Sequence, residues 1–367
     1  MDNRIKILVV FVEPMLYGMD LIREVYEKTP YEYRYVYSDN GITGKDDIEL
    51  SSNAMMCSGN RKERKRQILR EYKEFMPNFS VINGYVGVEQ TVAIKYCKKK
   101  KIPYAIETDT PLHIPSNRLK AFAKKIYLKT LLRNRYCFGF PGGTLQKENL
   151  VYYGIIEEKN FIMPMSVSKK RLLEVSEKLP SKNILKESLG FGTKKIFLFV
   201  GRLEKVKNVT LLLKAFKEVK KEESESALLI VGDGSEMNIL KEVVLQEQIS
   251  DVYFVGYVVF PEIIKYYKVA DVFVLPSTYE PWGLVVNEAM IMGLPVLVSS
   301  HVGCRVDLIR EGVNGFIFRD NDKKDLQEKM LNTLYLDVER RIIDEWSYDT
   351  YLKEFIVVVE DICKKLA

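Results

Sequence analysis

Hydrophobic residues along this chain fall into short, nearly continuous runs that alternate with longer segments of helical periodicity. Continuous β-branched and aromatic runs are typical of strands buried in parallel sheets, and their alternation with helices indicates parallel α/β units. In the first half, strands are predicted at 5–12, 33–37, 79–84, 103–108 and 136–140. In the second half, they are predicted at 195–200, 227–231, 252–255, 271–276, 295–299 and 315–318. The clearest helices are predicted at 61–75, 88–99, 208–221, 235–247, 261–269, 283–293 and 323–336.

The two halves are separated by a segment without a strand signal, 164–194, which is rich in Lys, Ser and Pro. Such shifts in composition mark boundaries between domains. The 367 residues therefore predict a first domain over 1–167, a second over 168–345 and a C-terminal helix over 346–367 that returns to the first domain. Both domains are predicted to be Rossmann-like, doubly wound α/β domains that face a cleft, where open parallel sheets bind ligands.

Composition narrows the class of protein. Hydrophobic residues make up 47% of the chain, which is ordinary for a globular protein and excludes a disordered or fibrous one. The five cysteines are dispersed and there are two histidines, so we expect neither a disulfide framework nor a multi-histidine metal site. No apolar run approaches the roughly 20 residues of a membrane-spanning helix, and no cleavage site follows the first run. We expect a reduced, cytoplasmic protein.

Charge distinguishes the two halves. The net charge is +6, and residues 51–150 carry 20 basic against 7 acidic side chains. A basic first half beside a nearly neutral second half indicates that the first domain meets an anionic partner. Nucleic acid, an anionic membrane surface and a phosphorylated substrate all fit this charge.

Basic residues follow the first strand of the second domain. The strand at 195–200 runs into Gly201, which lets the backbone turn, and then into a loop that carries Arg202 and Lys207. At the carboxyl end of a parallel strand, these two cations can converge on a pyrophosphate. A solvated helix start is the alternative.

Two glycine turns follow the next two strands. Gly232-Asp-Gly234 precedes a helix start that we expect Ser235 to cap, and a structural role is the simpler interpretation of this turn. Gly256 ends the following strand, where backbone groups can hydrogen-bond the edge of a base.

Two glutamates lie around the start of a later helix. Glu280 is in the loop after the strand at 271–276, and Glu288 is on the helix that opens near Gly283. The amides of Leu284 and Val285 would be unpaired at that N-terminus and carry the positive end of the helix dipole. One carboxylate can then bind hydroxyl groups on one side of a pyrophosphate, and the second carboxylate those on the other side.

In this order, the motifs resemble those of the retaining nucleotide-sugar glycosyltransferases of family four, which have the GT-B fold. They are Gly201-Arg202 with Lys207-Asn208, Gly232-Asp-Gly234, Gly256-Tyr-Val258, and Glu280-x7-Glu288 with Gly283-Leu284. The resemblance is strong over about 195–320 and looser over 1–170. It implies transfer of a hexose from a nucleotide sugar, UDP-linked, to a saccharide or lipid-linked saccharide acceptor in surface polysaccharide or glycolipid assembly.

The resemblance also implies a role for each matching residue. The diphosphate is held by side chains and helix amides: Arg202, Lys207, Leu284 and Val285. Glu288 binds the ribose hydroxyls, and Val258 faces the base. The catalytic residue Glu280 binds the donor sugar's hydroxyls together with the backbone of Trp282 and Gly283. Fixed cations and helix amides can stabilise the departing diphosphate, so no metal and no other cofactor is expected.

The first domain departs from the family pattern in two places. Many members have a glycine-rich turn after the first strand, where this chain offers Gly18, the glycine expected at the donor. A catalytic-site histidine is expected after a later strand, where this chain has Asp109, with His113 four residues on. Either Asp109 or His113 is expected to take that role.

A basic, amphipathic helix is predicted between Asn117 and Arg135. Its apolar residues fall on one face: Leu119, Phe122, Ala123 and Ile126. Its basic residues surround that face: Arg118, Lys120, Lys124, Lys125 and Lys129. Such a helix can lie on an anionic membrane, each basic residue contributing about 1 kcal/mol, or it can pack on the core with a solvated basic face. We expect a peripheral protein on the inner face of the cell membrane.

Other functions remain open. No signature of a nucleic-acid-binding fold occurs, so nucleic acid is not expected as the partner. A GT-B nucleotide-sugar epimerase would convert the donor without an acceptor. A non-catalytic, glycosyltransferase-like partner subunit would explain the missing histidine, although the matching basic and acidic residues of the second domain speak against it.

Overall fold

The computed structural model describes residues 4–38, 50–336, 338 and 342–366. Its strands in the first half of the chain are β1 (Lys6–Phe11), β2 (Glu32–Ser38), β3 (Ala54–Cys57), β4 (Phe79–Asn83), β5 (Tyr104–Thr108) and β6 (Cys137–Pro141). In the second half they are β7 (Lys195–Val200), β8 (Ser226–Val231), β9 (Val252–Gly256), β10 (Val272–Leu275), β11 (Val296–Ser299) and β12 (Gly315–Phe318).

Helices connect these strands. The helices up to β7 are α1 (Leu16–Glu24), α2 (Arg61–Phe75), α3 (Val88–Lys100), α4 (Arg118–Leu132), α5 (Thr144–Tyr152), α6 (Lys169–Lys178) and α7 (Lys182–Ser188). Those after β7 are α8 (Val209–Glu222), α9 (Met237–Gln246), α10 (Ile264–Val269), α11 (Leu284–Ile291), α12 (Arg305–Leu308), α13 (Lys323–Leu334), α14 (Ile342–Glu345) and α15 (Tyr348–Leu366). Short 3₁₀ turns lie at Tyr26–Lys28, Glu157–Lys159 and Lys205–Lys207.

The described strands form two six-stranded parallel sheets with the same topology. Their orders are β3-β2-β1-β4-β5-β6 and β9-β8-β7-β10-β11-β12. In each sheet the winding direction reverses between the first and fourth strands, β1 and β4 or β7 and β10. Open parallel sheets bind ligands beyond the carboxyl ends of the strands at such a reversal. The predicted class, two Rossmann-like doubly wound α/β domains, is confirmed.

The chain divides into two compact units, one of Met1–Ser166 with Ser347–Ala367 and one of Val167–Trp346. In the first unit, α15 packs on the same face of the sheet as α1. Buried residues of α15, such as Tyr351, Phe355 and Val359, join strand residues such as Val9 in one core. This apolar packing explains why the C-terminal helix belongs to the first unit.

The structure also contains elements that the hydrophobic pattern did not predict. Strand β3 is four residues long and mostly not buried, so it produces no apolar run. The segment without a strand signal forms α6 and α7, each with a single buried hydrophobic residue, Leu172 and Leu185. Short elements with so little apolar surface leave a weak periodic signal.

Candidate functional site

Lys207 and Glu280 meet at the carboxyl edge of the second sheet. Lys207 ends the 3₁₀ turn after β7, and Glu280 lies in the loop after β10, the neighbouring strand at the reversal. The Lys207 Nζ donates a hydrogen bond to Glu280 Oε2, and the two side chains are 14% and 13% exposed. The Ser277 hydroxyl lies 3.4 Å from the same carboxylate oxygen. A cation and an anion therefore lie side by side where the fold binds ligands.

Backbone hydrogen bonds fix the loop that carries Glu280. Its N–H donates to the carbonyl of His301 over 3.2 Å, and its carbonyl accepts from the N–H of Gly303 over 2.9 Å. The N–H of Thr278 donates to the carbonyl of Val206 over 2.8 Å, which ties this loop to the one before Lys207. The two charged side chains are thus held by neighbouring loops that are bonded to each other.

The glycine turn after β8 supports the loop that carries Arg202. A Cβ atom on Gly232 would lie 1.9 Å from the carbonyl oxygen of Gly201, and one on Gly234 would lie 2.5 Å from that of Leu203. Backbone therefore packs directly on backbone, which only glycine allows. The structural interpretation of this motif accounts for both glycines.

Arg202 itself is exposed, and the residues beside it form a small polar cluster. The Ser235 hydroxyl donates to Glu204 Oε2 over 2.7 Å. Hydrogen bonds from the Ser235 hydroxyl and N–H lower the pKa of Glu204, and the charge of Arg202 lowers it further. The prediction that Ser235 caps a helix is wrong, because α9 begins at Met237 and the hydroxyl bonds Glu204 instead.

Helix α11 begins directly after Gly283, whose φ is +99°. A Cβ atom there would lie 3.2 Å from Leu275 and 3.3 Å from the side chain of Glu280, so the close approach and the left-handed backbone both favour glycine. Leu284 and Val285 are the first two residues of α11. Their N–H groups have no carbonyl one turn earlier within the helix, and they carry the positive end of its dipole.

Glu288 is oriented by a tyrosine that sequence reasoning missed. The Tyr267 hydroxyl donates to Glu288 Oε2 over 2.6 Å. Tyr267 is fully buried, and burial, reinforced by the Glu288 carboxylate, raises the pKa of this tyrosine well above its usual value. Tyr267 lies on the short helix α10, where nothing in the local sequence distinguishes it from a core tyrosine.

The side chain of Trp282 supports the Glu280 loop from within the core. Its Nε1 donates to Asn287 Oδ1 over 2.9 Å, and its ring centroid lies 5.3 Å from that of Trp346. Its carbonyl accepts from the N–H of Cys304 over 3.1 Å. The expected contact of the Trp282 and Gly283 backbone with a sugar stays a prediction.

Val258 lies just beyond β9, which ends at Gly256 as predicted. Val258 is half-buried, and its neighbours Tyr257 and Val259 are exposed. Its contact with a base stays a prediction.

Asp109 and His113 lie in different surroundings in the first unit. Asp109 follows β5 and lines a cavity of about 60 Å³, together with Tyr17 and Glu107. His113 is exposed, and its carbonyl accepts from Lys124 Nζ over 3.4 Å. Asp109 therefore lines the cavity at the end of β5, and His113 does not.

Glu107 in the same cavity is a further polar residue, to which the sequence analysis assigned no role. Tyr351 donates to its Oε1 over 2.8 Å, and Asn83 Nδ2 donates to its Oε2 over 3.2 Å. Burial raises the pKa of Glu107, although both hydrogen bonds act to lower it, and the charge of Asp109 raises it further. Tyr351 is on α15, so the C-terminal helix helps to build the cavity in this unit.

Gly18 does not lie in a turn. It is the third residue of α1, which begins at Leu16, and its φ is not positive. No atom lies within 4 Å of the position that a Cβ on Gly18 would take. The glycine expected in a turn is thus a helical residue. Its assignment to donor binding assumed a glycine turn after β1, and Gly18 does not form one.

The predicted basic helix is α4, capped by Asn117. Its residues Leu119, Phe122 and Ile126 are 81%, 65% and 52% exposed. The helix packs on the unit through other side chains, Leu128, Leu131 and Leu132. The core-packed alternative therefore does not describe this apolar face.

Two properties of the described residues concern metal binding and the membrane. No group of three or more His, Cys, Asp or Glu side chains among them is arranged to hold a metal ion, and metal independence stays a prediction. None of the described helices has both the length and the apolar content needed to cross a bilayer.

Comparison with known proteins extends the resemblance seen in the motifs. Residues 181–347 match the family described as glycosyl transferases group 1. An uncharacterized glycosyltransferase of Methanocaldococcus jannaschii is 34% identical over 160 residues, which are 43% of this chain and 38% of that protein. The alpha-monoglucosyldiacylglycerol synthase of Acholeplasma laidlawii is 27% identical over 244 residues, 63% of this chain and 61% of that protein. The matches span less than two thirds of either relative.

A solved structure supports the fold over nearly the whole chain. Anabaena HepE in complex with UDP and glucose superposes with a TM-score of 0.75 at 15% identity, covering 98% of this chain and 100% of that one. The family match lies on the unit that carries Lys207, Glu280 and Glu288. Residues 181–347 are thus similar to the group 1 glycosyl transferases, and the chain has the GT-B fold.

Proposed function

We propose that this protein transfers a hexose from a UDP-linked nucleotide sugar to a saccharide acceptor, with retention of the anomeric configuration. The observation that carries the proposal is the contact between Lys207 and Glu280 at the reversal of the second sheet. The diphosphate of such a donor binds a cation, and the hydroxyls of its sugar need a hydrogen-bond acceptor. Lys207 supplies the cation, and the carboxylate of Glu280 accepts the hydrogen bonds. The UDP moiety is favoured because HepE, which shares the fold, was solved with UDP and glucose.

Sugar transfer requires the protein to stabilise the negative charge of the departing diphosphate. In this proposal Lys207 leaves Glu280 when the donor binds and pairs with the diphosphate, joined by Arg202 and the first amides of α11. Preorganised cations and amides at a developing negative charge are worth several kcal/mol in a transition state. Glu280 then accepts hydrogen bonds from the sugar. These groups supply the stabilisation without a metal, so we expect activity to survive a chelator.

Retention follows if the acceptor attacks from the face that the diphosphate leaves. That route needs no nucleophile from the protein. Glu280 binds sugar hydroxyls in this account and forms no bond to the anomeric carbon. Glu288, held by Tyr267, binds the ribose hydroxyls at the other end of the diphosphate.

The acceptor is proposed to be a lipid-linked saccharide, or a glycolipid, at the inner face of the cell membrane. The exposed apolar residues of α4 support this location, since such a face on a basic helix suits an anionic lipid surface. The Acholeplasma relative is by name a synthase of a glucosylated diacylglycerol. Asp109 is the proposed first-unit contact to the sugar or acceptor, because it lines the cavity beyond β5.

A panel of donors tests the proposal. UDP-glucose, UDP-galactose, UDP-N-acetylhexosamines and GDP-mannose are each incubated with the protein, with and without chelator, and nucleoside diphosphate release is measured. We expect slow release to water from one donor, unchanged by chelator, and thermal stabilisation by the matching diphosphate. An epimerase would convert the sugar of the donor instead, and a non-catalytic subunit would bind the diphosphate but release none from the donor.

A further inference from the structure

Helices α2 and α3 of the first unit enclose a groove of about 1150 Å³, which we call the α2–α3 groove. Seven basic residues line it: Arg61, Lys62, Lys65, Lys73, Lys95, Lys99 and Lys100. No Asp or Glu is among its lining residues. All seven basic side chains are exposed, and none forms an ion pair with a carboxylate in the part of the chain that the structure describes. The groove therefore concentrates uncompensated positive charge.

A buried ion pair fixes the distance between the two walls of the groove. Arg64 on α2 donates to both carboxylate oxygens of Glu89 on α3, over 2.5 and 2.6 Å. The Glu89 side chain is fully buried. The rings of Tyr72 and Tyr96 pack with centroids 5.0 Å apart across the same helix pair. The cations thus lie on a preformed surface, and binding a ligand there requires little ordering of the backbone.

The spacing of the cations indicates an extended anionic partner. Arg61, Lys65, Leu69 and Lys73 recur every four residues, so they share one face of α2. At about 1.5 Å per residue, Arg61 and Lys73 are roughly 18 Å apart along the helix axis. A single phosphate group spans much less than this length. The groove suits several phosphate groups arranged along a surface.

Apolar residues distinguish a lipid surface from a nucleic acid. Val86 lines the groove and is 77% exposed, and Tyr127 reaches it from α4. Leu119, Phe122 and Ile126 lie exposed on that same helix. Lys98 on α3 donates to the carbonyl of Thr130 on α4 over 3.0 Å, which joins α4 to the groove wall. Phosphates next to an apolar phase are the chemistry of an anionic bilayer.

We propose that the α2–α3 groove binds the phosphate headgroups of an anionic bilayer while the exposed apolar residues of α4 enter its interfacial layer. This inference rests on the proposed function, which places the enzyme at the membrane, and it names the surface that contacts the lipid. It adds a headgroup site on α2 and α3, on elements other than those that carry Arg202, Lys207, Glu280 and Glu288.

The test measures binding of the full chain to vesicles of phosphatidylcholine alone and of phosphatidylcholine with 30% phosphatidylglycerol. The groove variant combines R61Q, K65Q, K95Q and K99Q. Its matched control, K178Q with K241Q, K353Q and K364Q, removes four exposed lysines that do not line the groove. We expect the wild type and the control to bind the anionic vesicles alike. The groove variant should bind them about 100-fold more weakly or worse.

Three results would overturn the proposal: equal weakening in both variants, equal binding of the wild type to neutral vesicles, or no vesicle binding at all. A duplex oligonucleotide that binds the wild type more tightly than the vesicles, and loses affinity in the groove variant, would assign the groove to nucleic acid instead. Nucleoside diphosphate release from the soluble donor is measured in parallel. We expect the groove variant to keep it, so a failure of the donor chemistry is seen separately from a failure of docking.

Discussion

Lys207 Nζ donates a hydrogen bond to Glu280 Oε2 across the two strands at which the second sheet reverses its winding. Their side chains are 14% and 13% exposed, so each charge is compensated mainly by the other. Removing one partner of such a pair destabilises the protein, because the remaining charge is poorly solvated. A donor that offers a diphosphate to the lysine and hydroxyls to the glutamate satisfies both residues at once.

Replacing Lys207 by methionine should weaken nucleoside diphosphate binding by about 10-fold or more, since a charge-assisted hydrogen bond is worth roughly 1.5–3 kcal/mol. The variant should also lower the free energy of unfolding, because the Glu280 carboxylate loses its cation. Calorimetric titration with the diphosphate and urea unfolding measure the two effects. Lys214→Met, on the exposed side of α8, is the control. Adding Glu280→Gln to Lys207→Met should restore stability but not binding, and unchanged diphosphate affinity in Lys207→Met would contradict the assignment.

Replacing Tyr267 by phenylalanine should raise the KM for the donor with little change in kcat. The change deletes the hydroxyl that orients the Glu288 carboxylate over 2.6 Å and leaves the buried ring in place. We expect a loss of about 1.5–3 kcal/mol in donor binding, typical of a hydrogen bond to a charged group. Initial rates at varied donor concentration measure it. A fall in kcat at constant KM would instead place Glu288 at the reacting sugar.

Replacing Gly232 by alanine should impair both stability and donor binding. The new Cβ would lie 1.9 Å from the carbonyl oxygen of Gly201 and must displace the loop that carries Arg202. Gly18→Ala is the matched control, because nothing lies within 4 Å of its new Cβ and alanine favours the helix by about 0.5–1 kcal/mol. Thermal unfolding and diphosphate titration compare the two. Loss of donor binding in Gly18→Ala with normal stability would return Gly18 to the donor site.

Glu107 should make the first unit less stable as pH rises. Its pKa is raised above the usual value of 4.5, chiefly by burial, so the folded protein holds this proton more tightly than the unfolded chain does. The stability from this group is therefore complete below pH 4.5 and is lost as pH rises through the raised pKa. Glu107→Gln cannot ionise and still accepts from Tyr351. Its free energy of unfolding relative to wild type should increase from pH 4.5 towards neutrality.

Asp251 provides a control of opposite sign for the pH experiment. Hydrogen bonds and charges of Lys194 and Lys220 outweigh its burial and lower the pKa of Asp251 to about 2. The stability from this group is present above pH 3.8 and is lost as pH falls towards 2. Asp251→Asn should therefore differ most from wild type at neutral pH and approach it in acid. Urea unfolding across the pH range measures both variants, and a flat profile for Glu107→Gln would show that this carboxylate is not perturbed.

The strands and the second-unit motifs could be predicted from local sequence because each leaves a local signal. Buried parallel strands such as β7 and β10 are continuous apolar runs, and Gly283 sits where a strand-to-helix turn needs a left-handed residue. The order of these motifs then brought Lys207 and Glu280 to one sheet edge. Their direct contact was not predictable, because it depends on side-chain directions set by two loops 73 residues apart.

The first unit was harder to predict for the same physical reason. Tyr351 and Glu107 are 244 residues apart, and no local pattern links a tyrosine on a C-terminal helix to a glutamate at a strand end. The apolar stripe of α4 fitted either a buried or an exposed helix. Which face is covered depends on neighbouring elements, and here Leu131 is buried while Leu119 is not. Tertiary contacts therefore determine both the Tyr351–Glu107 hydrogen bond and the exposed face of α4.

The role of Glu280 in sugar transfer can be measured by nucleoside diphosphate release from the preferred donor, compared between wild type and Glu280→Gln. The substitution keeps the size of the side chain and removes its charge. We predict release at least about 100-fold slower in the variant, the scale expected for losing one preorganised transition-state contact, with the diphosphate bound as tightly as in wild type or more tightly because Lys207 is freed. Release at the wild-type rate by Glu280→Gln would contradict the account.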